Sequence, residues 1–217
     1  MTSTTVLFTL FLALMVGLGL ACREYVRAAT ATRLGDLTPR QHGRLTWNLR
    51  AHVDPFGSLL LPAILLLPVL FGKAVFPVFA YAKPLPLNPW TLRRRERDLI
   101  MIALAGPAAN TALAFAFGAV IRVAGVEGRL GLFLEAGVLA NVVMAVMNLI
   151  PIPGLDGSRI VARFLPPRAQ EVYSNLDQYC ALFVLVVVFI FQGPVIAFLS
   201  AIGNGICRLA AGLPCFG

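Results

Sequence analysis

Residues 136–157 read AGVLANVVMAVMNLIPIPGLDG. From Ala136 to Leu155 there is no Asp, Glu, Lys or Arg, so the first part of the stretch is apolar and long enough to lie as a helix in a bilayer. Pro151 and Pro153 cannot continue a helical hydrogen-bond ladder, and the helix is expected to stop near Ile150. Ile152 to Gly157 is then irregular backbone at or near membrane depth, carrying one carboxylate, Asp156. Such backbone is tolerated in lipid only where protein buries it or water reaches it, so the segment is expected to line an internal cavity.

The composition around this stretch agrees with it. The chain has 217 residues, 59% hydrophobic and 13% charged, with a mean hydropathy of +0.82. A water-facing globule is nearer half apolar and a quarter charged, which excludes an ordinary soluble domain. The net charge of +8 lies between apolar stretches, where basic residues contact anionic lipid headgroups, and nucleic-acid binding is not expected. Arg93 to Arg97 reads as one such headgroup-contacting turn. Cys22, Cys180, Cys207 and Cys215 have no C-x-x-C spacing and read as small apolar residues in helices.

The fold expected is an all-α polytopic membrane protein, a bundle of about five to six transmembrane helices. It is read as one integral-membrane domain, 1–217, with candidate spans at 5–22, 56–72, 99–121, 131–150, 178–192 and 194–213. Met1 to Cys22 lacks a charged n-region and runs into helix-compatible sequence through about Leu34, so it reads as a retained first helix. Pro55 to Gly72 carries Pro62 and Pro68, and a kinked or a re-entrant helix, with short extended elements nearby, fits it equally. Gln178 to Cys207 fits one tilted helix or two shorter ones broken at Gly193-Pro194. With alternating crossings, Arg33, Arg40, Arg44, Arg50, Arg122 and Arg129 face six charges' worth of one side. Lys73, Lys83, Arg93, Arg94, Arg95, Arg97, Arg159, Arg163 and Arg168 put nine on the other. That margin is small and inverts if the second stretch is re-entrant, so orientation stays open.

Ionisable groups inside spans are functional candidates by default. Besides Asp156, the sequence offers Cys22-Arg23-Glu24-Tyr25-Val26-Arg27, in which Arg23 and Arg27 share a helix face and Glu24 lies beside them. At these residues the chain resembles the site-2 protease family of intramembrane zinc metalloproteases, in its compact form without a PDZ domain. That family's H-E-x-x-H and L-G-D elements correspond to Arg23-Glu24-Tyr25-Val26-Arg27 and Leu34-Gly35-Asp36. Further matching elements are Gly43 to Asn48, His52 to Gly57, Tyr81 to Pro89, Ala105 to Asn110, and an N-x-x-P-x-x-x-L-D-G element at Asn148 to Gly157.

The resemblance implies zinc held by two histidines and Asp156, Glu24 as general base, and Asn148 holding substrate backbone. Both histidine positions are arginine here. A guanidinium has no lone pair to give a metal and stays charged, so Arg23 and Arg27 are not expected to bind zinc. Without metal Glu24 has no acidified water to work on. His42, His52 and Cys22 are weak substitutes, being off the face that Glu24 occupies. The two arginines can instead neutralise Glu24 and Asp156 in a four-residue ion cluster, or snorkel to the interface with Glu24 solvated. Hydrolysis is therefore doubted and no cofactor is expected. The expected function is a non-catalytic family member that binds the transmembrane segment of a partner protein. An active intramembrane zinc metalloprotease, which alone would need zinc, and a small transporter or channel are the alternatives. The setting expected is multi-pass, in the cytoplasmic membrane of a bacterium, with lipid headgroups against the basic loops.

Overall fold

The computed structural model describes residues 3–71, 77–212 and 214–215, and among these the regular structure is entirely helical, with no strand. The short extended elements anticipated after the first helix take no part in a sheet. Gly72 and Lys73 lie outside the described residues. Helix α1 spans Ser3–Leu34 without interruption. At about 1.5 Å per residue it exceeds the ~30 Å hydrocarbon core. Its hydroxyls are satisfied within the helix, Thr9 donating to the Thr5 carbonyl and Thr32 to that of Ala28, each at 2.8 Å. Gly35, with φ of 111°, ends the helix in the left-handed region. Asp36 follows, its carboxylate accepting from the amides of Thr38 at 2.9 Å and Asn88 at 2.7 Å.

After the short helix α2 (Thr38–Gln41), Asp54 caps a π-helical turn over Pro55–Leu60 by accepting from the amides of Phe56 and Gly57. The turn runs into α3 (Leu61–Leu70). The chain then returns to where it started. The Tyr81 amide donates to the Gly57 carbonyl at 3.1 Å and the Lys83 amide to that of His52 at 3.0 Å. The Asn88 bond to Asp36 completes the return. Pro55–Leu70 is therefore the outgoing limb of a re-entrant arm rather than a crossing, because the chain at His52 and Gly57 meets the returning chain at Lys83 and Tyr81 at one end. Gly57 is required at its root, because a Cβ there would overlap the Tyr81 ring.

Helix α4 (Arg95–Ala124) and helix α5 (Gly128–Leu149) pack on each other and on α1. Phe11 meets Phe133 edge-on at 5.2 Å, so α1 and α5 run parallel, and the turn at Gly125, φ 54°, makes α4 antiparallel to both. Most of α5 from Ala136 to Asn148 is buried, which is why its sequence is apolar on every side. It ends at Leu149, because the following Pro151 holds Ile150 extended at φ −63°, ψ 136°. The irregular segment is shorter than expected: α6 (Asp156–Ala162) already contains Asp156 and Gly157. Gly157 permits this early start, since any Cβ there would collide with the Leu149 carbonyl.

Helices α7 (Pro167–Asn175), α8 (Cys180–Phe189) and α9 (Gln192–Ala211) complete the bundle. Gln178 to Cys207 is thus two helices, and the break falls at Ile190-Phe191 because Pro194 offers no amide to the carbonyl four residues back. Among the described residues five helical stretches are long and apolar enough to cross a membrane: Ser3–Leu34, Arg95–Ala124, Gly128–Leu149, Arg168–Phe189 and Gln192–Ala211. Cys207 and Cys215 are not simple apolar fillers. They form a disulfide, while Cys22 and Cys180 are free.

The re-entrant arm decides the charge balance. Arg33, Arg40, Arg44, Arg50 and Lys83 fall at the same end of the bundle as the Arg93 to Arg97 turn and the Arg159, Arg163 and Arg168 region. The opposite end holds Arg122, Arg129 and Arg208, with the disulfide close by: a pocket there joins Cys215 to Phe8 of α1 and Glu135 of α5. An excess of positive charge marks a cytoplasmic face, and a disulfide persists on an oxidising one, so both signals give the same orientation. In a Cys22→Ala/Cys180→Ala background, Glu127→Cys should react with a membrane-impermeant maleimide in intact cells, and Arg93→Cys only after permeabilisation. The reverse labelling would refute the orientation.

Asp36 supplies a pH signature for the loop it ties. Burial opposes its charge, but the bonds from Thr38 and Asn88 outweigh this and hold the carboxyl below the usual aspartate range. A lowered folded-state value gives stability that is complete above the unfolded value of about 4 and is lost as pH falls through the folded one. The melting-temperature gap between the protein and Asp36→Asn should therefore be largest near neutral pH and close on acidification.

Candidate functional site

Asp156 projects from the first turn of α6 toward the middle of α1, where Arg23, Glu24 and Arg27 are all at most 6% exposed. Arg27 reaches Glu24 Oε1 at 2.9 Å and Oε2 at 3.2 Å through Nη1, and Asp156 Oδ1 at 3.0 Å through Nη2. Arg23 reaches Glu24 Oε1 at 3.3 Å through Nη1 and donates to Asp156 Oδ2 through Nη2. The four side chains form a closed ring of alternating charge, Arg23, Glu24, Arg27 and Asp156, whose sum is zero. Snorkelling is overturned, because both guanidiniums are buried and each bridges two carboxylates. The bridge is geometric as well as electrostatic: a planar fork with donors on both nitrogens can hold two acceptors at fixed angles.

The ring depends on space made by α4. A Cβ at Gly106 would lie 2.9 Å from Arg27 Cδ, 3.1 Å from Asp156 Oδ2 and 3.3 Å from Arg23 Nε. Four residues along, Asn110 is wholly buried and neither atom of its amide has a partner. Nor do Arg23 Nε, Arg27 Nε, Asn141 Oδ1 and Asn148 Oδ1. Asn148 donates through Nδ2 back to the Met144 carbonyl at 2.7 Å, so it does not cap the broken end of α5. Its Oδ1 is buried and has no partner.

Arg44 is not a headgroup anchor. It is buried, and its guanidinium donates to the Ala51 carbonyl at 2.6 Å and the Pro84 carbonyl at 3.2 Å, tying the two strands of loop below the ring. His52, also buried, contacts the Thr46 carbonyl at 2.9 Å through Nε2. A carbonyl only accepts, so Nε2 carries a proton, and Nδ1 is buried without a partner. His42 is remote, at the exposed end of α2 on the Thr38 carbonyl. Gly106, Asn110 and Arg44 are thus site-shaping residues that motif order pointed to without assigning a role. A buried cation in a segment that reads as a polar loop has no local sequence signal.

The donor set does not suit zinc. Glu24 and Asp156 spend their oxygens on guanidiniums, and two positive groups occupy the positions beside them where neutral donors would have to be. Among the described residues no group of three or more His, Cys, Asp and Glu side chains could hold a metal ion.

The fold is a polytopic membrane helical bundle in which a proline-broken segment delivers an aspartate to an E-x-x-R face of the first helix. The peptidase family M50 model matches residues 124–192, which take in Asn148 and Asp156. The chain is 28% identical over 179 residues to "Putative zinc metalloprotease YwhC" of Bacillus subtilis, covering 78% of this chain and 75% of that protein. It is 32% identical over 171 residues to "Putative zinc metalloprotease Rip2" of Mycobacterium tuberculosis, covering 77% of this chain and 62% of that protein. The Rip2 protein of Mycolicibacterium smegmatis is 30% identical over 171 residues, again covering 62% of the relative. No solved structure matches the chain. The protein belongs to the M50, or site-2 protease, family and is a multi-pass integral membrane protein.

The ring carries a stability prediction. Removing one partner of a buried ion pair strands the other and costs about 3–5 kcal/mol. Asp156→Ala should therefore lower the melting temperature in detergent far more than Glu171→Ala at an exposed site of α7. An Asp156→Ala variant that melts like the parent would show that the ring does not hold the fold.

Proposed function

We propose that this chain is a non-catalytic member of the family that acts by binding a transmembrane segment of a partner protein. One observation carries the reading: the guanidiniums of Arg23 and Arg27 fill the space between Glu24 and Asp156, the two carboxylates the family resemblance assigns to catalysis and metal binding. In the family's terms Arg23 and Arg27 stand at the histidine positions. Two arginines supply the same +2 that a zinc ion would, so the charge balance is kept while the Lewis acid is not. Glu24 is ion-paired to both arginines, which occupies the carboxylate that a general base would need free.

Binding remains within reach of such a frame. The re-entrant arm exposes Leu59, Leu60 and Leu67 beside α1, an apolar surface that lipid or another helix can cover. Association there relies on packing and on polar groups that find partners across the interface. The relatives' names as putative zinc metalloproteases favour the hydrolytic alternative, and zinc content separates the two.

Purified protein should carry no stoichiometric zinc and should leave candidate transmembrane substrates intact. Arg23→His and Arg27→His together should create zinc binding that Asp156→Ala abolishes. Stoichiometric zinc in the parent, lost on Asp156→Ala, would refute the non-catalytic reading. Partner binding is tested separately, by a photo-crosslinker at Leu59 or Leu60: crosslinking to a defined membrane protein is expected, and capture of lipid alone would refute it.

A further inference from the structure

At the arginine-rich end of the bundle, the first turns of α4 and the length of α6 enclose a cavity of about 210 Å³. Arg95, Arg159 and Arg163 line it together with Glu96, and Leu99 and Ile100 form an apolar wall. The cations are under-compensated. Glu96 takes Arg163 at 2.5 Å, but Asp177 stands 3.7 Å from Arg159, too far for a good hydrogen bond. Burial disfavours the charge of Arg159, the repulsion of Arg27 in the buried ring adds to this, and Asp177, Asp156 and Glu24 offset it only in part. Arg95 has no carboxylate within ion-pair distance among the described residues, and its guanidinium lies 4.1 Å over the ring of Trp90. Trp90 is 80% exposed, the posture of an indole at a membrane interface.

We propose that this cavity binds the phosphate of an anionic phospholipid headgroup, held by Arg95, Arg159 and Arg163, with an acyl chain along Leu99 and Ile100. A basic pocket at the cytoplasmic end of membrane helices, apolar on the side toward the core, matches both halves of such a lipid. The phosphate supplies the counter-charge that Asp177 only partly gives Arg159. Arg159 and Asp156 are three residues apart on α6, so a lipid held there also fixes the helix that delivers the ring's carboxylate. The proposal is independent of whether the protein hydrolyses anything.

The test uses full-length protein with Trp47→Phe, which leaves Trp90 as the single tryptophan, in vesicles of phosphatidylcholine doped with brominated phosphatidylglycerol or brominated phosphatidylcholine. Brominated phosphatidylglycerol should quench Trp90 preferentially. Arg159→Gln and Arg163→Gln should each lower that selectivity by up to about fivefold, the size expected per arginine near an anionic surface. Arg95→Gln leaves the α6 ion pairs in place and should do the same, which covers the case in which an α6 variant fails to fold. Arg93→Gln/Arg94→Gln, outside the cavity, should have a smaller effect. Equal quenching by the two lipids overturns the proposal, as does an equal loss with Arg93→Gln/Arg94→Gln, which would mean diffuse surface attraction. Inorganic phosphate should not displace the lipid; full displacement would assign the cavity to soluble phosphate and overturn the lipid assignment.

Discussion

Four charges closed into a ring at membrane depth are the constraint the rest of the fold serves. A single ion in that position is prohibitively placed, whereas two guanidiniums alternating with two carboxylates satisfy one another and sum to zero. The ring is also a cross-link between α1 and α6, elements 133 residues apart in sequence. Several local features exist to let it close. Gly106 makes room on α4, Gly157 lets α6 start against the end of α5, and Pro151 stops α5 early enough for the chain to turn back.

The second organising feature is the arm over Pro55–Leu70. Its backbone groups are satisfied by the returning chain rather than by a sheet, through the Tyr81, Lys83 and Asn88 amides. Non-helical backbone near the membrane survives here because protein, not lipid, surrounds it. By failing to cross, the arm gathers nearly all basic loops at one end. The same end receives Asp36, Arg44 and His52 as internal ties, so part of what counts as surface charge in the composition is structural.

Family membership and local chemistry point to different conclusions, and the difference lies in two side chains. The M50 model covers the broken segment with Asn148 and Asp156, and the sequence resemblance sets Glu24 of the first helix beside it. What a metal centre needs beyond that frame is lone pairs, and Arg23 and Arg27 have none. A frame of this kind can hold a polypeptide without cutting it, because positioning a segment and polarising its carbonyl are separate tasks performed by separate groups.

Much of this was legible before any coordinates. Charge-free stretches gave the membrane helices, Pro151 gave the end of α5, and the order of short motifs gave the family, because each depends on residue type and local spacing alone. Other features were undetermined by sequence. Whether Pro55–Leu70 crosses depends on hydrogen bonds to residues 81 to 88, and the break at Ile190 instead of Gly193 depends on which carbonyl Pro194 leaves unserved. The Cys207–Cys215 pairing needed the end of α9 to turn back on itself. The sequence by itself determined that two arginines and two carboxylates would have to be reconciled inside an apolar bundle. Only the tertiary structure decided that they meet one another rather than water, because that choice rests on α4 and α6 closing over α1 and removing the path by which a guanidinium could reach the interface.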